Sequence, residues 1–235
     1  MLSRKKQPVQ QDKINVAQIS KLDDLDYMSA NSFRDLKTNV EYQLRHKEKK
    51  IIVVTSANQG EGKSYCALHL ARAFAEAKNK VLIIDMDLHR PRMSLQLGIS
   101  SKPGITNLYE DDTTNHFILN EIDERIYATS CGRSTLNATE VLSSNKVSEF
   151  VDAQSDIFDI VIIDSPPIRL TPDSKIIISK FKNVVFVVRD NRTRKFEIEE
   201  ALNSIKLVSP TLLGMVINYK KYSKKQRKKY GYGYK

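Results

Sequence analysis

The chain has 235 residues, 40% of them apolar and 28% charged, which is enough to bury a full core in one large domain or two small ones. No apolar run approaches the roughly eighteen residues of a membrane-spanning helix, and the first residues lack a signal-peptide core. The two cysteines, Cys66 and Cys131, give no disulfide framework, so a soluble cytoplasmic protein is expected, with Cys66 a small packing residue. The formal charge is +10, but Tyr219 to Lys235 alone hold eight basic residues and no acid, leaving about +2 on the rest. Such a tail fits an anionic membrane surface or nucleic acid. The body does not read as a nucleic-acid-binding fold, and no nucleic-acid partner is expected.

Residues 1–26 are polar, lack periodicity and include Pro8, which reads as an arm. From Tyr27 to about His46, Phe33, Leu36, Val40 and Leu44 recur at three- and four-residue spacing, predicting a helix with Arg34 and Lys37 on its polar face. Ile51 to Val54 is a β-branched run that reads as a buried strand. It leads into Thr55-Ser56-Ala57-Asn58-Gln59-Gly60-Glu61-Gly62-Lys63-Ser64, and a strong helix pattern follows. Strand, glycine-containing loop, Gly-Lys-Ser and helix in that order predict a phosphate-binding P-loop. Gly60 and Gly62 allow the backbone to wrap so that successive N–H groups face phosphate oxygens, and the helix start adds its positive end. Lys63 is expected to reach the β- and γ-phosphates and Ser64 to place its hydroxyl on Mg²⁺. Lys63 is also expected to be exposed to phosphate and not buried, so that its replacement would leave the fold intact. The first glycine of the motif is replaced by Ala57.

Val81 to Asp85 is a second buried strand, followed by Asp87 and Arg90-Pro91. Carboxylates at a strand's C-terminal end sit where ligands bind in open α/β sheets, where they can hold Mg²⁺ or take a proton from an attacking hydroxyl. From Pro91 to Ser144 the pattern is less regular. It holds a turn and short helix at Pro103 to Leu108, a weak strand at Arg125 to Ser130, and a short helix that Asn137 and Glu140 could cap at capping-box spacing. Phe158 to Asp164 is a third buried strand ending in an acid, the Walker-B pattern, stopped by Pro166-Pro167. A helix near Ser174 to Ser179, a strand at Val184 to Val188, a helix at Lys195 to Val208 and a strand at Leu212 to Asn218 complete the body. Apolar strands alternating with helices predict an α/β fold, a mostly parallel sheet with helices on both faces. The expected organisation is an arm at 1–26, a P-loop domain at 27–218, and a basic, tyrosine-bearing tail at 219–235.

TSANQGEGKS, VLIIDMDLHRP, FDIVIIDSPP, LLGMVINY and the terminal KKYGYGYK together resemble the bacterial tyrosine kinases of the capsule and exopolysaccharide type, from about Tyr27 to the C-terminus. NATEVLSS resembles a degraded form of a further segment of that family. The partition ATPases share the fold but typically carry an early P-loop Lys where this chain has Asn58. The resemblance implies a P-loop NTPase fold, ATP and Mg²⁺ as cofactors, and autophosphorylation. It also implies a membrane-spanning polysaccharide co-polymerase adaptor as activator, other copies of the chain and a cognate tyrosine phosphatase as partners, and a place at the inner face of the cell membrane through the adaptor. It assigns Lys63, Asp85 and Asp87 to catalysis; Gly60, Glu61, Gly62, Lys63, Ser64, Tyr65 and Asn218 to ATP; and Ser64, Asp85 and Asp164 to the metal. Tyr230, Tyr232 and Tyr234 are the implied phosphoacceptors, with Tyr222 and Tyr219 as weaker ones. The family's ring-forming Glu-x-x-Arg-x-x-Arg is here Asn31, Arg34 and Lys37. Loss of the acid removes half of an intersubunit ion pair, and Lys lacks Arg's bidentate geometry, so the resemblance does not decide whether a ring forms. His89 stands where the family has an arginine, with Arg90 next, and reads as a tolerated substitution.

Overall fold

Four of the apolar runs come together as neighbouring parallel strands. The structure is a computed structural model that describes residues 25–100, 102–110, 119–133 and 135–221. The elements are α1 (Tyr27–Leu44), β1 (Ile51–Ser56), α2 (Lys63–Glu76), β2 (Val81–Asp85), α3 (Arg92–Gln96), α4 (Ile105–Glu110), β3 (Asn120–Asp123) and β4 (Ile126–Thr129), then α5 (Ala138–Ser143), α6 (Asn145–Ser155), β5 (Ile160–Asp164), α7 (Asp173–Phe181), β6 (Asn183–Arg189), α8 (Lys195–Lys206) and β7 (Thr211–Asn218). Among the described residues the sheet has seven strands in the order β3-β4-β2-β5-β1-β6-β7. Every pairing is parallel except β3 with β4.

Strands β1, β2 and β5 are buried at every position, as a central strand covered on both faces must be. Their alternate side chains feed two cores. Val53, Leu82, Ile84, Val161 and Ile163 join the core under α4 to α8; Ile52, Val54, Ile83 and Ile162 join the core under α1, α2 and α3. In α1, Phe33, Val40 and Leu44 are buried, and Asp26 caps the helix by accepting from Ser29 N at 2.8 Å. Of the positions matched to the ring-forming motif, Arg34 contacts Asn31 at 3.1 Å and Glu76 at 3.4 Å, while Lys37 pairs with Glu41 at 2.6 Å.

The capping box expected at Asn137 does not form. The Asn137 side chain makes no cap bond, and the Glu140 carboxylate accepts instead from the Tyr109 hydroxyl of α4 at 2.5 Å. Tertiary contact has taken the acid that the local pattern assigned to the helix start. Three elements that the sequence left irregular also appear: α3, the antiparallel edge strand β3, and α6, whose Ser144 cap accepts from Val147 N.

Because β1 and β5 are both central and parallel, with the P-loop and the Walker-B acid at their C-terminal ends, the sheet core sets the site's geometry. Ile162 is 0% exposed, so Ile162→Ala is expected to cost about 2–5 kcal/mol in chemical denaturation through the cavity it leaves.

Candidate functional site

The site begins with strand register. Asp85 at the end of β2 lies directly opposite Asp164 at the end of β5, and both are fully buried. Two carboxylates side by side without water repel each other and need a cation. Lys63, at the start of α2, supplies it. Its Nζ lies 2.9 Å from Asp87 Oδ2 and 3.6 Å from Asp164 Oδ1. Lys63 is itself only 8% exposed, which overturns the expectation of an exposed side chain. Burial alone would push Lys63 down, but Asp164 and Asp87 outweigh it and raise it.

The two strand-end acids are in different states of saturation. Asp85 Oδ2 accepts from Ser94 N at 2.8 Å and Ser94 Oγ at 2.7 Å, and its Oδ1 accepts from Asp87 N at 3.1 Å. Burial, then the neighbouring Asp164, push Asp85 up to about 7 against the Ser94 bonds and Lys63. Asp164 is less saturated: it faces the Ser64 hydroxyl and the Lys63 ammonium, whose Nζ is 3.6 Å from Oδ1, and no backbone N–H bonds to it. Burial raises its affinity for a proton, with Lys63 pulling the other way. A buried carboxylate with open lone pairs beside the Ser64 hydroxyl fits a divalent cation. Among the described residues no group of three or more His, Cys, Asp or Glu could hold an ion unaided. Mg²⁺ takes few protein ligands and completes its shell with phosphate and water.

The P-loop is held open by its own residues. Gly60 and Gly62 have φ of +78° and +89°, the left-handed region foreseen for a phosphate cradle. A Cβ on Gly62 would stand 2.0 Å from Asn218 Nδ2 and 3.3 Å from the Tyr219 ring. Asn218 donates to the Glu61 carbonyl at 3.0 Å, so the end of β7 braces the loop. Glu61 is buried, and its carboxylate turns inward, accepting from Asn58 N at 3.0 Å and Thr193 Oγ1 at 2.6 Å. Its carboxylate is thereby engaged by Asn58 and Thr193. Tyr65 likewise places its ring away, 4.2 Å from His69 and 6.2 Å from Phe33 in a cluster between α1 and α2.

Sequence reading missed the residues that fix these loops. Arg169, beyond the Walker-B strand, holds Asn58 and is neutralised by Glu197 at 3.1 Å and Glu200 at 2.9 Å. Arg189 donates to the Gly60 carbonyl at 3.2 Å and lies 4.1 Å from the centre of the Tyr219 ring. Neither arginine has a local motif. His89 turns to Asp173 at 2.8 Å, whose other oxygen accepts from Thr139 at 2.8 Å. Of the implied phosphoacceptors, Tyr219 packs over the P-loop; Tyr222, Tyr230, Tyr232 and Tyr234 lie outside the described residues.

The open carboxylate of Asp164 serves function at a cost to the empty protein. Asp164→Asn is expected to raise the nucleotide-free Tm by about 2–4 °C, since it removes one of three carboxylates crowded about a single lysine. The same variant should weaken Mg²⁺-dependent ADP binding about tenfold or more. Thermal scans and titrations with and without Mg²⁺ measure both effects.

Residues 47–234 match the ParA family, described as the NUBPL iron-transfer P-loop NTPase. Cys66 and Cys131 are buried in the two separate cores. The tyrosine-protein kinase YwqD of Bacillus subtilis is 30% identical over 87% of this chain and 86% of its own length. The tyrosine-protein kinase ptk of Acinetobacter johnsonii is 29% identical over 90% of this chain, which spans 30% of that longer protein. Among solved structures, the kinase domain of the Escherichia coli tyrosine kinase ETK shares the fold, with a TM-score of 0.75 at 22% identity over 87% of this chain and 80% of that one. The VpsO kinase domain gives 0.73 at 26% identity over 83% of this chain and 97% of that one. With a glycine cradle, its lysine and three acids on a ParA-type sheet, the chain belongs to the bacterial protein-tyrosine kinases, enzymes that use ATP.

Proposed function

We propose that this kinase phosphorylates tyrosines of its own C-terminal tail, in neighbouring copies, as part of a capsule or exopolysaccharide assembly system. A membrane-spanning co-polymerase adaptor activates it, and a cognate tyrosine phosphatase resets it. The observation that carries the chemistry is Lys63 poised on Asp87 and Asp164 beside the glycine cradle. The reading of the tail rests on the sequence, where Tyr230, Tyr232 and Tyr234 alternate with glycine among lysines. No helix among the described residues is long and apolar enough to cross a membrane, so attachment through a partner accounts for action at the membrane surface.

The backbone N–H groups around Gly60 and Gly62 bind the phosphates. Lys63 turns from Asp87 to the β- and γ-phosphates, exchanging one set of anionic oxygens for another without losing its compensation. Ser64 and Asp164 would hold Mg²⁺, which supplies charge neutralisation on the phosphate oxygens when bound. Asp85, with both oxygens engaged, keeps the β2 loop in register by holding Ser94 and Asp87 N; a direct metal bond is left to Asp164. Asp87, released by Lys63, is the carboxylate placed to take the phenolic proton of the incoming tyrosine.

Phosphopeptide mass spectrometry after incubation with ATP and Mg²⁺ tests this function. Modification at Tyr230, Tyr232 or Tyr234 is expected, increased by the cytoplasmic segment of the adaptor. ATP hydrolysis without phosphotyrosine would instead support a nucleotide-switch ATPase of the partition class. Lys63→Met is expected to abolish modification. Because the lysine is buried among acids, it should also destabilise the empty protein by about 3 kcal/mol, measured by denaturant unfolding.

A further inference from the structure

The loop after β2 sends two basic side chains in different directions. His89 is committed to the buried Asp173 of α7. Arg90 turns back across the site, and its Nη1 donates to Gln59 Oε1 of the P-loop at 2.6 Å. Its root is fixed, since Arg90 N donates to Asp87 Oδ1 at 3.1 Å, and Pro91 follows in the chain. Thus one residue bonds through its backbone to the acid that holds Lys63 and through its side chain to the tip of the phosphate cradle.

Two other arginines around the cradle are occupied differently, while the exposed Arg192 lies with its Nη1 4.0 Å from where a Cβ on Gly60 would stand. Arg169 is neutralised by two glutamates, and Arg189 lies over an aromatic ring. Arg90 is exposed and, among the described residues, has a neutral amide and no carboxylate. A guanidinium on an amide gains much less than one on phosphate oxygens, where two parallel charge-assisted bonds can form. The contact with Gln59 is therefore a resting position that an anion arriving between the two loops would displace.

We propose that Arg90 is a catalytic residue of phosphoryl transfer, leaving Gln59 to close on the γ-phosphoryl group as it moves. The inference rests on the phosphotransfer reading above. In that step the phenolic oxygen forms a bond to the γ-phosphorus. The bond from that phosphorus to the β–γ bridging oxygen breaks with its electron pair leaving on ADP, and the phenolic proton passes to Asp87. Negative charge on the equatorial oxygens is what a guanidinium whose backbone is anchored at Asp87, and which swings from Gln59, meets.

The test uses the full chain with Arg90→Gln, Arg90→Lys and, as a control, Arg125→Gln, whose Nη1 donates to the Lys78 carbonyl at the opposite end of the sheet. Fluorescent ADP binding is measured with Mg²⁺, with and without aluminium fluoride, together with kcat and KM for ATP. Arg90→Gln should bind ADP within about threefold of the parent and lose the tightening that aluminium fluoride brings, and its kcat should fall about 10²–10³-fold with KM for ATP little changed. Arg90→Lys should fall between, and Arg125→Gln should match the parent. If Arg90→Gln retains kcat within threefold, or if its ADP affinity falls as far as its rate, Arg90 is a strut of the P-loop and the proposal is overturned. Should Arg90→Gln fail to fold, the same two criteria apply to Arg90→Lys. If the tail is not phosphorylated at all, ATP hydrolysis and the aluminium fluoride readout still decide the role of Arg90, so the two readings fail separately.

Discussion

The register that sets Asp85 opposite Asp164 is the constraint on which the site depends. Parallel pairing of β2 with β5 puts two acids side by side in a place without water, and repulsion between them must be met by a cation or a proton. Lys63 meets it in the empty protein. A nucleotide can draw the lysine away only if something else compensates the acids. In the mechanism we propose, that couples phosphate binding to cation binding through charge balance: moving Lys63 to the phosphates would leave Asp164 to a metal and Asp87 to a proton. The chemistry follows from the fact that this cluster cannot remain uncompensated in any state.

The P-loop shows a complementary arrangement. Its glycines adopt left-handed backbone, a conformation that needs support because nothing within the loop enforces it. Support comes from three directions. Glu61 folds back on Asn58 and Thr193, Asn218 of β7 holds the Glu61 carbonyl, and Arg169 ties Asn58 to α8. The loop is thus preorganised, which lowers the cost of ordering it on binding.

What could be read from the sequence divides along the same physical line. β1, β2, β5 and β6 were legible because a strand buried on both faces must be continuously apolar, and the acids ending two of them were legible by position. The antiparallel edge strand β3, Asn-Glu-Ile-Asp, buries one residue and carries no such signal. The α6 helix does carry one: Val147, Phe150, Val151 and Gln154 are buried at three- and four-residue spacing. The supporting side chains were illegible for another reason. Glu61 and Tyr65 sit inside or beside the motif, so sequence position alone makes them ligands; only tertiary structure shows one turned into the loop and the other into an aromatic cluster. Arg169 and Ser94 act through contacts that span tens of residues or lie in helices too short to foresee.

The burial of Lys63 shows why a motif can name a residue and still misstate its energetics. Gly-Lys-Ser identifies the residue that will meet phosphate. It says nothing of where the side chain rests beforehand, because the three acids arrive from β2, its loop and β5, distant in the chain. Those acids make the resting lysine a structural cation as well as a catalytic one. The same is true of the aspartates: Asp85 uses its oxygens to hold the neighbouring loop, while Asp164 keeps its own open. Two identical side chains at equivalent strand ends are thereby differentiated by a single serine, Ser94 on α3, which saturates one and not the other. The division of roles between the two acids is set by that helix, and no pattern in either strand encodes it.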